Sequence, residues 1–134
     1  MGDVSISPQA AIGTVRLVVA DLDDVADFYK EAIGLNEVER AGDVVRLGAE
    51  PGRALVELVG RPDAPPRPPR STGLFHLAVL VPSRPELARA LQRVAAVGWR
   101  FTGGSDHLVS EALYLNDPEG NGIEIYRDRP REEW

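Results

Sequence analysis

The strongest constraint on this chain is that it repeats itself. Thr14-x-x-Leu17-x-Val19 lines up with His76-x-x-Val79-x-Val81, an offset of 62 in the numbering. Asp21 and Ser83 then fall together, each just ahead of an amphipathic stretch and each able to cap a helix. At the far end of each copy, Val56-Glu57-Leu58-Val59 matches Ile123-Glu124-Ile125-Tyr126. A chain built from two copies of one short unit must fold as two similar units side by side.

The order of elements inside each copy follows from pattern. Residues 14–19 alternate as a strand. A helix is expected over about 22–32, with Leu22, Val25, Phe28, Tyr29 and Ile33 on one face and Gly34 as its stop. Strands are expected at about 36–41, 44–48 and 54–59, separated by Gly42-Asp43 and Pro51-Gly52. In the second copy, a strand over 74–81 leads to a helix opened by the capping box Ser83-Arg-Pro-Glu86 and closed at about Val97 and Gly98. Strands follow at about 99–102, 112–115 and 122–127. The fold class is therefore α+β: two tandem βαβββ modules forming a curved, mixed-sheet trough with helices outside. A single domain over 1–134 is expected, with module one at about 12–60 and module two at about 73–129. The proline-rich stretch 61–72 between them should be an extended spacer.

A four-stranded sheet cannot bury both faces alone, so helices should cover one face of each. Positions 14, 57, 76 and 124, from the first and last strands of the two copies, are then able to converge on the other face. Glu124 stands between Ile123 and Ile125, so its side chain leaves the apolar face. A bare buried carboxylate is costly, and it must be paired or bound to a metal. Arg16 is expected to face away from position 14.

Composition narrows the function classes. The chain has 134 residues, no cysteine and a net charge of −6. Cysteine-free, it has no disulfides, no thiolate metal site and no thiol nucleophile. The acidic balance argues against nucleic acid, which needs a basic face. No apolar run approaches a membrane span, and no charged-then-apolar leader is visible. A cytoplasmic protein without membrane or nucleic-acid partners is expected.

Two motifs carry a family resemblance. The first is Val19-Ala-Asp21-Leu22 followed by Phe28-Tyr29; the second runs His107, Leu113-Tyr114, Asp117-Pro118-Glu119-Gly120, Glu124. With the βαβββ repeat, they resemble the vicinal oxygen chelate superfamily of glyoxalase I, extradiol dioxygenases, fosfomycin-resistance enzymes and bleomycin-binding proteins. The stretch from Ser105 to Trp134 is most similar to bacterial catechol 2,3-dioxygenases, which carry further modules, so this chain looks like one half of such a protein. The resemblance implies a divalent-metal enzyme acting on a small substrate with vicinal oxygens. It implies His76 and Glu124 as metal ligands, His107 as the acid/base and Tyr114 as a hydrogen-bond donor to substrate. A homodimer is expected.

The resemblance breaks at Thr14, where the family's first histidine ligand should stand. By the same resemblance Glu57 would compensate, since glyoxalase I uses a glutamate at the equivalent strand position. A set of His76, Glu57 and Glu124 favours Fe(II) or Mn(II) over Zn(II). Two other readings stand beside it: a glyoxalase-like lyase, and a metal-free protein that sequesters a small molecule.

Overall fold

The computed structural model describes residues 5–134. Both copies of the repeat fold as βαβββ. In the first, β1 (Val15–Val19) leads into α1 (Leu22–Phe28), then β2 (Asn36–Ala41), β3 (Val44–Gly48) and β4 (Val56–Gly60). The second repeats it with β5 (Leu77–Leu80), α2 (Arg84–Ala96), β6 (Phe101–Asp106), β7 (Ser110–Asn116) and β8 (Gly122–Asp128). The sheets are ordered β1-β4-β3-β2 and β5-β8-β7-β6. In each, the first strand runs parallel to the last, which the helical crossover requires, and the remaining pairs are antiparallel. No helix among the described residues is long and apolar enough to cross a membrane.

Local chemistry sets the boundaries. The Asp21 side chain accepts from the Asp24 amide at the start of α1, and Ser83 accepts from the Glu86 amide at the start of α2. The first helix is not regular to its end as expected. After Phe28 it widens into a π-helical turn, Tyr29–Ile33, which buries Tyr29, Ala32 and Ile33 together. Gly34 then closes it in the left-handed conformation, φ 87°. Arg93 from α2 lies directly over Gly34, where a Cβ would approach its Nε to 2.6 Å. The β6–β7 hairpin is longer than expected. Gly103-Gly104-Ser105-Asp106 reads as a loop by composition, yet pairs with β7 after a register shift between Phe101 and Gly103. The first copy shifts at the matching place, between Glu37 and Glu39.

One continuous core joins the copies, running from Leu17 and Val19 through Tyr29, Leu58 and Val94 to Ile123 and Ile125. Phe28 packs on Trp99 with ring centroids 4.9 Å apart, and Arg93 Nη2 donates to the Ile33 carbonyl at 3.1 Å. The Asp117–Gly120 turn before β8 fastens onto the first copy. Glu119 accepts from the Ala20 amide at 2.7 Å and the Asp21 amide at 2.8 Å, and the Tyr29 hydroxyl donates to Asp117 at 3.4 Å. The helix-covered faces thus meet inside. The opposite face of each sheet stays open, and its matched edge residues Val18 and Leu80 are 59% and 55% exposed.

Candidate functional site

The open face of the second sheet gathers three polar side chains. His76 just precedes β5, Glu124 lies in mid-β8, and Tyr114 faces Glu124 directly across the β7–β8 pair. His76 Nε2 contacts Glu124 Oε2 at 2.8 Å, and the Tyr114 hydroxyl donates to Oε1 at 3.0 Å. Gly122 permits the approach, because a Cβ there would run into the Phe75 carbonyl oxygen. Burial, and then the bond to Glu124, pushes the Tyr114 hydroxyl above its ordinary value, so it stays a proton donor at neutral pH. The contact to Glu124 assigns the proton of a neutral His76 to Nε2 and leaves Nδ1 as an acceptor. Phe75, 87% exposed, lies beside the imidazole with centroids 5.2 Å apart.

The matching face of the first sheet is built differently. Glu57 Oε1 contacts Arg16 Nε at 3.1 Å, and Oε2 accepts from Arg46 Nε at 2.6 Å. Arg46 Nη1 reaches Glu39 at 2.5 Å. The register Arg16–Glu57–Arg46–Glu39 runs these charges in one row across all four strands. Glu57, then Glu39, hold the Arg46 guanidinium above its ordinary range. The expectation that Arg16 faces away is corrected here: residues two apart on a strand share a face. Thr14 Oγ1 donates to the Ala54 carbonyl at 2.9 Å.

His107 sits in the β6–β7 hairpin, exposed, with its amide donating to the Ser110 carbonyl at 2.8 Å. From Ser110 the strand runs about 13 Å to Tyr114 at the usual rise. Among the described residues, no hydrogen bond, ion pair or ring contact joins His107 to His76, Tyr114 or Glu124. The Asn116–Gly122 turn is more than a bend. Asp117, 3% exposed, accepts from the amides of Glu119 and Asn121 and from the Asn121 side chain. Burial holds its carboxyl above the usual range despite those bonds.

The implied divalent metal was tested against this donor set. Among the described residues, no three His, Cys, Asp or Glu side chains gather closely enough to hold a metal ion. His76 and Glu124 supply one nitrogen and one carboxylate, bonded to each other. The Thr14 hydroxyl is engaged with a carbonyl, and both oxygens of Glu57 are held by guanidinium groups. An ion would have to strip Glu57 of two charged partners. The residues of this one chain do not fit a resident Fe(II), Mn(II) or Zn(II) with three protein ligands.

Comparison with known proteins agrees with the fold. Residues 11–125 match the model of the Glyoxalase/Bleomycin resistance protein/Dioxygenase superfamily. The chain is 44% identical over 131 residues to a catechol-2,3-dioxygenase of Bacillus subtilis (strain 168). That match covers 97% of this chain but 46% of the relative, so the chain spans about half the relative's length. A lactoylglutathione lyase from Agrobacterium tumefaciens superposes with a TM-score of 0.66 at 26% identity, over 90% of this chain and 96% of that one. A glyoxylase/bleomycin resistance protein/dioxygenase domain from Frankia sp. EAN1pec gives 0.74 at 24% identity, over 91% and 94%.

Proposed function

Because the chain belongs to the Glyoxalase/Bleomycin resistance protein/Dioxygenase superfamily, we propose that it serves an enzyme of catechol-2,3-dioxygenase type. It binds a small aromatic substrate with vicinal oxygens on the open face of the second sheet. The observation that carries this reading is the hydrogen-bonded set His76–Glu124–Tyr114. Glu124 fixes the imidazole as a carboxylate fixes the histidine of a catalytic triad. His76 Nδ1 is then the base that takes a proton from one substrate hydroxyl. Tyr114 satisfies the other oxygen of Glu124 and keeps the dyad aligned. Phe75 offers an aromatic face at the rim.

The donor set does not support a step routed through a metal on this chain alone. That favours a second reading, in which the chain binds such a molecule without turning it over. The disposition of Thr14 and Glu57 supports it. The exposed pair Val18 and Leu80, on the edge strands β1 and β5, supports a homodimer joined along those edges. Light scattering that gives a monomer at micromolar concentration would contradict that arrangement.

Titration of the chain with catechol, followed by NMR, tests the main reading, with oxygen consumption measured after adding Fe(II) or Mn(II). Saturable binding lost in His76→Ala and Glu124→Gln supports the site. Oxygen uptake that needs both residues supports turnover, and binding without uptake supports sequestration. Catechol binding that neither substitution alters would overturn the site.

A further inference from the structure

The open face of the second sheet carries a second phenol that the His76–Glu124–Tyr114 set leaves unused. Side chains alternate along β8, so Ile123 and Ile125 enter the core while Glu124 and Tyr126 share the open face. The register lays two rows across that face. One is Ala78–Glu124–Tyr114–Gly103, and the next is Leu80–Tyr126–Ala112–Ser105. The step from one row to the next is two residues of strand, about 7 Å at the usual rise.

The two phenols differ in what they hold. The Tyr114 hydroxyl donates to Glu124 at 3.0 Å. Tyr126 is half-buried, yet its hydroxyl makes no hydrogen bond among the described residues and is open to solvent. A tyrosine with a packed ring and a free hydroxyl is suited to a partner from outside the chain. The face around it is low. Ala78 is exposed and has only a methyl group, and nothing lies within 4 Å of where a Cβ on Gly103 would stand. A flat ring can therefore lie over the Glu124–Tyr114 row with its far edge at Tyr126. Asp128 follows on the same face, exposed, and disfavours a negatively charged group there.

We propose that Tyr126 sets specificity in the catechol site by donating a hydrogen bond to a neutral oxygen on the ring substituent opposite the diol. The preferred substrate class is then a 4-substituted catechol bearing a hydroxymethyl or carbonyl group. The step of about 7 Å between the rows is comparable to the length of a ring with one such substituent. This inference rests on the reading of His76 as the group that engages the diol.

4-(Hydroxymethyl)catechol and 4-methylcatechol, which differ by one hydroxyl group, are titrated anaerobically into the 15N-labelled full chain. The hydroxymethyl compound is expected to bind about five-fold more tightly. Tyr126→Phe should abolish that preference and leave the affinity for 4-methylcatechol unchanged. It should also leave the urea midpoint unchanged, because the hydroxyl has no partner among the described residues. A drop in that midpoint would overturn the inference by showing the hydroxyl bonded within the protein. No preference in the parent chain, or one that survives Tyr126→Phe, overturns the inference alone when 4-methylcatechol still binds and His76→Ala abolishes that binding. If 4-methylcatechol does not bind, or binds regardless of His76→Ala, the reading of the His76 site fails and the inference falls with it.

Discussion

Glu57 and Glu124 occupy the same place in two copies of one unit, and they do different work. Three exchanges separate their surroundings. Position 14 is threonine where its counterpart, 76, is histidine; Arg16 is matched by Ala78; and Arg46, opposite Glu57, is matched by Tyr114, opposite Glu124. Two arginines neutralise Glu57 and turn its sheet face into a row of paired charge. Without them, Glu124 is left to a histidine and a phenol, groups that can pass or position a proton. The backbone sets where a carboxylate points, and its strand neighbours set what it can do.

The turns ahead of the last strands offer the largest break in the symmetry. Asp117 is buried and accepts four hydrogen bonds, while Glu50, at the matching turn of the first copy, is exposed. Asp117→Ala should cost about 3 kcal/mol by urea denaturation, since it orphans buried donors. Glu50→Ala should stay within about 0.5 kcal/mol. Equal losses would mean that the second turn is not the clasp between the copies.

Glu111 sharpens the comparison, because it too lies among arginines and should behave like Glu57. The hydrogen bond from Arg127, followed by the charges of Arg127, Arg84 and Arg129, holds its carboxyl below the usual range. A depressed carboxyl stabilises the fold above its unfolded value, and the contribution is lost as pH falls through the lower folded value. Glu111→Gln should therefore cost about 2 kcal/mol at neutral pH. The gap to the parent chain should close as pH falls below the ordinary carboxylate range. A gap that widens in acid would reverse the assignment.

Copying one exchange from the first sheet into the second gives a smaller, more specific effect. Ala78→Arg puts a guanidinium beside Glu124, as Arg16 stands beside Glu57. It should draw Glu124 from His76 and weaken catechol binding about ten-fold, roughly 1.4 kcal/mol. Stability should change by less than about 0.5 kcal/mol, since Ala78 is exposed. Unchanged binding would separate the His76–Glu124 contact from ligand recognition.

Much of this was legible in the sequence. The offset of the repeat gave both βαβββ units and placed the two glutamates at matching positions, because periods of two and of 3.6 survive in single chains. The meeting of His76 with Glu124 followed from their matched places in the first and last strands of the second copy, whereas the bond from Tyr114 to Glu124 was not foreseen. The arginine row did not, because cross-strand partners depend on register, which the loops between strands fix only in three dimensions. The anchoring role of Asp117, which enters the sequence reading only within the Asp117-Pro118-Glu119-Gly120 motif, was not legible because turn chemistry and a buried anchor look alike in one sequence. The strand expected at about 99–102 extends to Asp106 as β6, and that extension was not legible because Gly103-Gly104 carries no side-chain pattern to alternate.

Two matched variants, Glu57→Gln and Glu124→Gln, test the central claim most directly when catechol affinity and urea stability are measured on the same samples. The account predicts opposite outcomes. Glu57→Gln should lose about 1 kcal/mol of stability and keep its affinity, because it unpairs two partly exposed arginines. Glu124→Gln should keep its stability and lose its affinity. If both variants lose affinity together, the two faces form one site and the distinction drawn between the sheets is contradicted.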